Sequence, residues 1–236
     1  MNPFRQKNKQ AGELIKTVCF IRPILRGRDI KRYSYEFAEL YIITTFPSLK
    51  IDIEQYPAVK QHLQGFGYDR LKQTGDHGAR KKTNNEWFET QDSISYMDDF
   101  YKQKIMYPNM TKFLPFYLDD RNFMQNDKSF MITGENLYFL TAFLNSSLFK
   151  FCFIDNFPEL QGGTRELRKI FLDKIPVLQV NQETESLFKS LVIQMQQLTF
   201  SGADTKQFAK EIDLIIFDIY KLTDEERNKI GFIEIQ

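Results

Sequence analysis

At 236 residues, 42% hydrophobic and 15% aromatic with 23 phenylalanines, the chain has the apolar content to build a core, which excludes a disordered linker. Its formal net charge of +1 excludes a polybasic protein, yet the charge is segregated: residues 1–32 hold nine Lys/Arg against Glu13 and Asp29, Arg80-Lys81-Lys82 form a second run, and the stretch from Phe200 onward holds eight acids against five bases. A cation-lined face on a balanced protein can hold a phosphate backbone, although solvated surface has the same composition.

Residues 17–25 are β-branched and apolar and are predicted to form a strand, as are residues 40–46. Residues 56–63 read as a short helix with Pro57 in its first turn. Residues 65–85 contain Gly65, Gly67, Gly75 and Gly78 among polar and basic residues, the composition of a long loop, and long loops in compact domains are functional or disordered. Residues 104–107, 113–118 and 128–132 read as strands. From Leu137 the period turns helical, with Leu137, Leu140, Leu144 and Leu148 on one face. Gly162-Gly163 breaks the chain, residues 167–172 read as strand, and Pro176 closes the run. Beyond it lie two apolar stripes, Leu187/Leu191/Met195/Leu198 and Phe208/Ile212/Ile215/Ile216/Ile219, then a capping box from Thr223 to Glu226. The fold class is α+β, with a mixed or antiparallel sheet and long loops in residues 1–180, followed by a helical C-terminal tail, residues 181–236, that packs on it.

Much chemistry is excluded. His62 and His77 are the only histidines, without zinc-ligand spacing, and no phosphate-binding glycine loop or nucleophile elbow occurs. No Asn/Asp-Pro-Pro-Tyr/Phe tetrapeptide, the amino-methyltransferase motif, is present. Asp29-x-Lys31 and Asp204-x-Lys206 match half of a nuclease metal site, but neither follows a hairpin acid. No apolar run is long enough to span a membrane and no secretory signal is visible. Cys19 and Cys152 sit in apolar stretches and read as reduced thiols of a cytoplasmic protein. No cofactor, metal or catalytic residue is expected.

Five segments remain. Residues 23–33 cluster Arg26, Arg28, Lys31 and Arg32 around Gly27, with Tyr33 beside them. Arginine forks suit phosphate or a guanine edge, and a basic turn braced by Asp29 fits the same residues. Residues 84–94 carry the single tryptophan, Trp87, a core residue by type, just after the Arg80 run. Residues 99–108 interleave aromatics with lysines, including Lys104, which describes a nucleic-acid groove or a half-buried strand equally. The fourth segment runs from Asn126 to Phe149 through Leu144-Asn-Ser-Ser-Leu148; the fifth runs from Gly162 through Arg165 and Lys169 to Pro176.

In this order the five segments resemble the C-terminal specificity domain of TaqI-like DNA methyltransferases and of fused type IIG restriction–modification enzymes, over residues 18–180. The Tyr220-x-Leu-Thr-x-x-Glu226 pattern resembles the end of such proteins, and the Leu-Asn-Ser-Ser-Leu and Ile175-Pro176 segments are more distantly similar to type I specificity subunits. The resemblance implies sequence-specific recognition of double-stranded DNA through major-groove loops, with a methyltransferase domain in cis or as a separate subunit as partner. It implies that the chain starts where a catalytic domain would end, so that S-adenosylmethionine is not bound and the full-length protein is a DNA adenine methyltransferase or endonuclease. Arg26, Arg28, Lys31 and Arg32 are then placed at the backbone or bases, and Arg80, Lys81 and Lys82 in the reading loop. Lys104, Arg165 and Lys169 are further DNA-binding candidates. A protein-interaction or subunit-assembly module is the alternative, separated from DNA binding by a mobility shift with random duplex.

Overall fold

A computed structural model describes residues 18 and 20–233, so the expectations for the basic N-terminus and for Cys19 lie outside the described residues. The chain forms an α+β fold of small sheets and helices, divided into two compact units. One consists of Met1–Ile24 and Glu39–Asp98, the other of Leu25–Ala38 and Asp99–Gln236. The helices after Val180 belong to the second unit, and each unit is assembled from two stretches of sequence.

In the smaller unit, the β-branched run forms the strand Ile21–Leu25, which pairs antiparallel with Tyr41–Ile43. Pro57 occupies the first turn of helix Pro57–Gln64, where a missing N–H costs nothing. A small core of Ile53, Val59 and Phe88 is flanked by Ile43, Leu63 and Trp87. The long glycine-containing segment is folded, not open. It holds a short helix, Tyr68–Leu71, and then clasps itself: Arg80 N–H donates to Lys72 O at 3.1 Å and Gly75 N–H to Arg80 O at 3.0 Å. Gln73, buried, closes the clasp with donations to the carbonyls of Glu86 at 3.0 Å and Glu89 at 2.8 Å.

In the larger unit, Lys104–Pro108 is the central strand of an antiparallel sheet between Tyr117–Asp119 and Ser129–Ile132, with Ile105 opposite both Leu118 and Ile132. All five residues of this strand are buried. Helices Leu137–Leu144, Gln182–Phe200 and Lys206–Ile219 share one core with it, through Ile105, Leu118, Phe139, Phe143, Phe188, Val192, Ile212 and Ile216. The buried face of the longest helix is centred on Phe188, Val192 and Met195; Leu187, expected on the apolar stripe, is exposed. Lys206–Ile219 follows its expected stripe, with Ile212 and Ile216 buried and Phe208, Ile215 and Ile219 packed beside them. Residues 167–172 form no strand. Pairing ends where Leu167 N–H donates to Asn109 O, and Lys169–Leu172 coils into a helical turn that lays Phe171 and Leu172 on the core.

The helical run from Leu137 breaks at Asn145. Its buried amide donates to Phe116 O at 2.8 Å and Thr141 O at 3.0 Å and accepts from Phe116 N–H. Ser146 then caps a new helix, Ser147–Asn156, by accepting from Phe149 N–H at 3.1 Å. Among the described residues no single helix is long and apolar enough to cross a membrane.

Candidate nucleic-acid interface

The larger unit contains a cleft of about 930 Å³ whose lining carries seven basic side chains and no carboxylate. Arg28, Lys31 and Arg32 come from one wall, Arg165 from a strand, Lys112 from the bend after that strand's partner, and Lys128 and Lys150 from a turn and a helix.

The first wall is a short compact segment. The 3-10 turn Gly27–Asp29 leads into Ile30–Lys31, which pairs antiparallel with Ser34–Tyr35. The corner needs a left-handed residue; Tyr33 takes it at φ 58°, with its ring buried and its N–H donating to Phe116 O at 3.0 Å. Gly27 fits because the space is taken: a Cβ there would lie 2.3 Å from the carbonyl oxygen of Lys128. This close approach sets Arg28 and Lys128 on the same cleft.

Arg26, expected at DNA, is committed elsewhere. Its Nε donates to Asp29 Oδ2 at 2.8 Å and its Nη2 to Asp29 Oδ1 at 2.7 Å, a two-pronged brace within the turn. Burial opposes ionisation of Asp29, but the hydrogen bonds and charge of Arg26 outweigh it and hold the carboxyl below the usual carboxylate range. Arg32 reaches the cleft while its guanidinium donates to Asn145 O at 2.7 and 3.2 Å, so its position is fixed by the helix break. Lys31 faces Glu36 at 3.4 Å across exposed surface, a contact worth little in water.

The opposite wall is the strand pair Met110–Thr111 and Arg165–Glu166. Thr111 Oγ1 accepts from Phe113 N–H and donates to Phe113 O, both at 2.9 Å, which ties residues 111–113 into a rigid turn. Lys112 and Phe113 both project from it, and Phe113 is 62% exposed. Arg165 lines the cleft with one nitrogen donating to Phe157 O at 2.5 Å and another 3.1 Å from Glu159. Lys128 lies 2.9 Å from the exposed Asp127. Arg28, Lys112 and Lys150 are exposed and form no ion pair among the described residues.

Two sequence expectations, for Lys104 and Arg80, are corrected, and Lys169 is placed outside the cleft. Lys104 is completely buried in the central strand, its Nζ 2.5 Å from the equally buried Asp119 and 2.8 Å from Phe100 O, so it cannot meet DNA. Lys169 pairs with Asp173 on exposed surface and does not line the cleft. Arg80 does not reach out from a mobile loop: its guanidinium donates to Leu71 O at 2.7 Å, Glu89 O at 2.9 Å and Trp87 O, and burial lowers its pKa. In the same segment Lys81 and Lys82 are exposed and without an ion pair among the described residues. Lys112, Lys128 and Lys150 escaped sequence reasoning because each is an isolated lysine, and only the fold sets them beside the Arg28 segment.

Among the described residues no group of His, Cys, Asp or Glu could hold a metal ion. What the cleft offers is fixed positive charge with hydrogen-bond donors, suited to a polyanion. A family model described as the TaqI-like C-terminal specificity domain matches residues 22–177. No curated protein matches the chain.

Proposed function

Since the chain belongs to the TaqI-like C-terminal specificity domains, which serve DNA recognition in restriction–modification systems, we propose that it is the sequence-reading part of a type IIG-like enzyme and binds double-stranded DNA through the cation-lined cleft of its larger unit. The absence of carboxylates from a lining with seven basic residues carries this reading, because a phosphate-binding surface excludes like charge. In it, Arg28, Lys112 and Lys150 contact phosphates, and Arg32 and Lys128 hold the register. Rigid cations position a duplex and carry no sequence information, whereas side chains that reach groove edges do. Catalysis falls to a methyltransferase domain in cis or in a separate subunit of a cytoplasmic, bacterial restriction–modification enzyme, and this chain neither methylates nor cuts DNA.

The test is equilibrium binding of random-sequence duplex against salt. With the three phosphate contacts of Arg28, Lys112 and Lys150 the slope of log K against log salt is about −2.7. Binding independent of salt, or unchanged in an Arg28→Ala/Lys112→Ala/Lys150→Ala variant that remains folded, would refute the assignment. Incubation with S-adenosylmethionine and magnesium should leave the DNA neither methylated nor cut.

A further inference from the structure

Phe113 sets an exposed aromatic ring in the cation-lined cleft, which phosphate contacts alone leave unexplained. The ring is 62% exposed, yet its backbone is clasped on both sides by Thr111 Oγ1 and so is held in place. Met110 and Ile154, both about half exposed, line the same cleft, so apolar surface lies open among cations. An intact duplex offers this cleft phosphates but keeps its base faces stacked on one another. A duplex groove offers a phenyl ring methyl and sugar edges, whereas an unpaired nucleotide presents an anion and a whole flat apolar face together, and a cationic groove with an exposed aromatic ring is the arrangement that holds single strands.

We propose that this cleft holds an unpaired stretch of DNA, with a base stacked on Phe113 and the adjoining phosphates on Lys112 and Lys150. The proposal rests on the DNA-binding reading above and adds to it that the strand engaged here is locally separated from its complement. Phe113 is then the stacking residue, and the sequence-neutral π-face of a base is its ligand.

Fluorescence anisotropy with two labelled probes, a short oligothymidylate and a blunt duplex of random sequence, tests it on the whole chain at low salt. Wild type binds both. Phe113→Ala loses about 5- to 150-fold on oligothymidylate, the loss of one base–aromatic stack, and binds the duplex as wild type does. Phe113→Leu, which keeps apolar bulk without the ring, loses similarly, and Phe113→Trp retains binding. Thermal unfolding of each variant should match wild type, because the side chain is exposed. If Phe113→Ala holds oligothymidylate as tightly as wild type, or weakens both probes equally, the stacking assignment is wrong. Salt-sensitive binding of the duplex with none of the single strand overturns this inference and leaves the proposed function standing; binding of neither probe overturns both.

Discussion

Arg26, Arg28, Arg32 and Arg80 carry the same guanidinium, and their hydrogen bonds decide what each can do. Arg28 has no ion-pair partner among the described residues, Arg32 is steered by Asn145 O, and Arg26 and Arg80 brace the backbone. Replacing Arg80 by Ala leaves the carbonyls of Leu71, Trp87 and Glu89 without their donor, and should cost about 2–3 kcal/mol in chemical denaturation followed by Trp87 fluorescence. A selective loss on one DNA sequence with unchanged stability would contradict that role. The Arg26–Asp29 brace has a definite pH signature. Asp29 titrates below its unfolded value, so its stabilisation is complete above the ordinary carboxylate range and disappears as pH falls through the depressed value. The stability gap between wild type and Asp29→Asn should therefore shrink on acidification below that range; a gap that widens would show the carboxylate is not held by Arg26. Removing the buried Lys104 strands Asp119, and Lys104→Ala should lower stability by about 3–5 kcal/mol, measured as a shift in the urea midpoint. The sequence showed the cations themselves. It could not show their partners, because Asn145 is 113 residues from Arg32 and the carbonyls that hold Arg80 carry no side-chain signature.

At the scale of elements, the Leu144-Asn-Ser-Ser-Leu148 segment joins helices, strand and C-terminus. Asn145 holds Phe116, Ser146 caps the second helix, and Ser147 donates its N–H at 2.9 Å and its hydroxyl to Asp213 while accepting from Ile233 N–H at 2.8 Å. Burial pushes the Asp213 carboxyl up, and the Ser147 donors and Arg32 charge only partly offset this. Replacing Asn145 by Ala leaves Phe116 N–H unsatisfied in the core and Phe116 O with Tyr33 N–H alone, and should cost about 1–3 kcal/mol by urea denaturation. It should also weaken duplex binding, since the segment that carries Lys112 loses its tie to residue 145 at Phe116, while the backbone carbonyl that holds Arg32 remains. Unchanged stability would rule out this segment as an anchor. Its helical periodicity was legible across residues 137–148, but the break was not, because a buried asparagine that bonds a distant strand resembles any mid-helix polar residue. Residues 167–172 misled in the opposite way: an apolar run of six fits a strand or a helical turn, and only the end of pairing at Leu167 decides.

The α+β class and the packing of the last helices were readable from alternation and 3.6-residue periodicity. The cleft was not, since its lysines are scattered singly and converge through long-range pairing such as Arg165 opposite Thr111. The division into two units has a consequence for how such a protein can change. Chain crosses between the units after Ile24, Ala38 and Asp98. Any single recombination breakpoint therefore leaves at least one unit assembled from two parents, and inheriting the two units intact from different parents requires three breakpoints. Exchange of a short tract inside one unit leaves the other unit of single parentage.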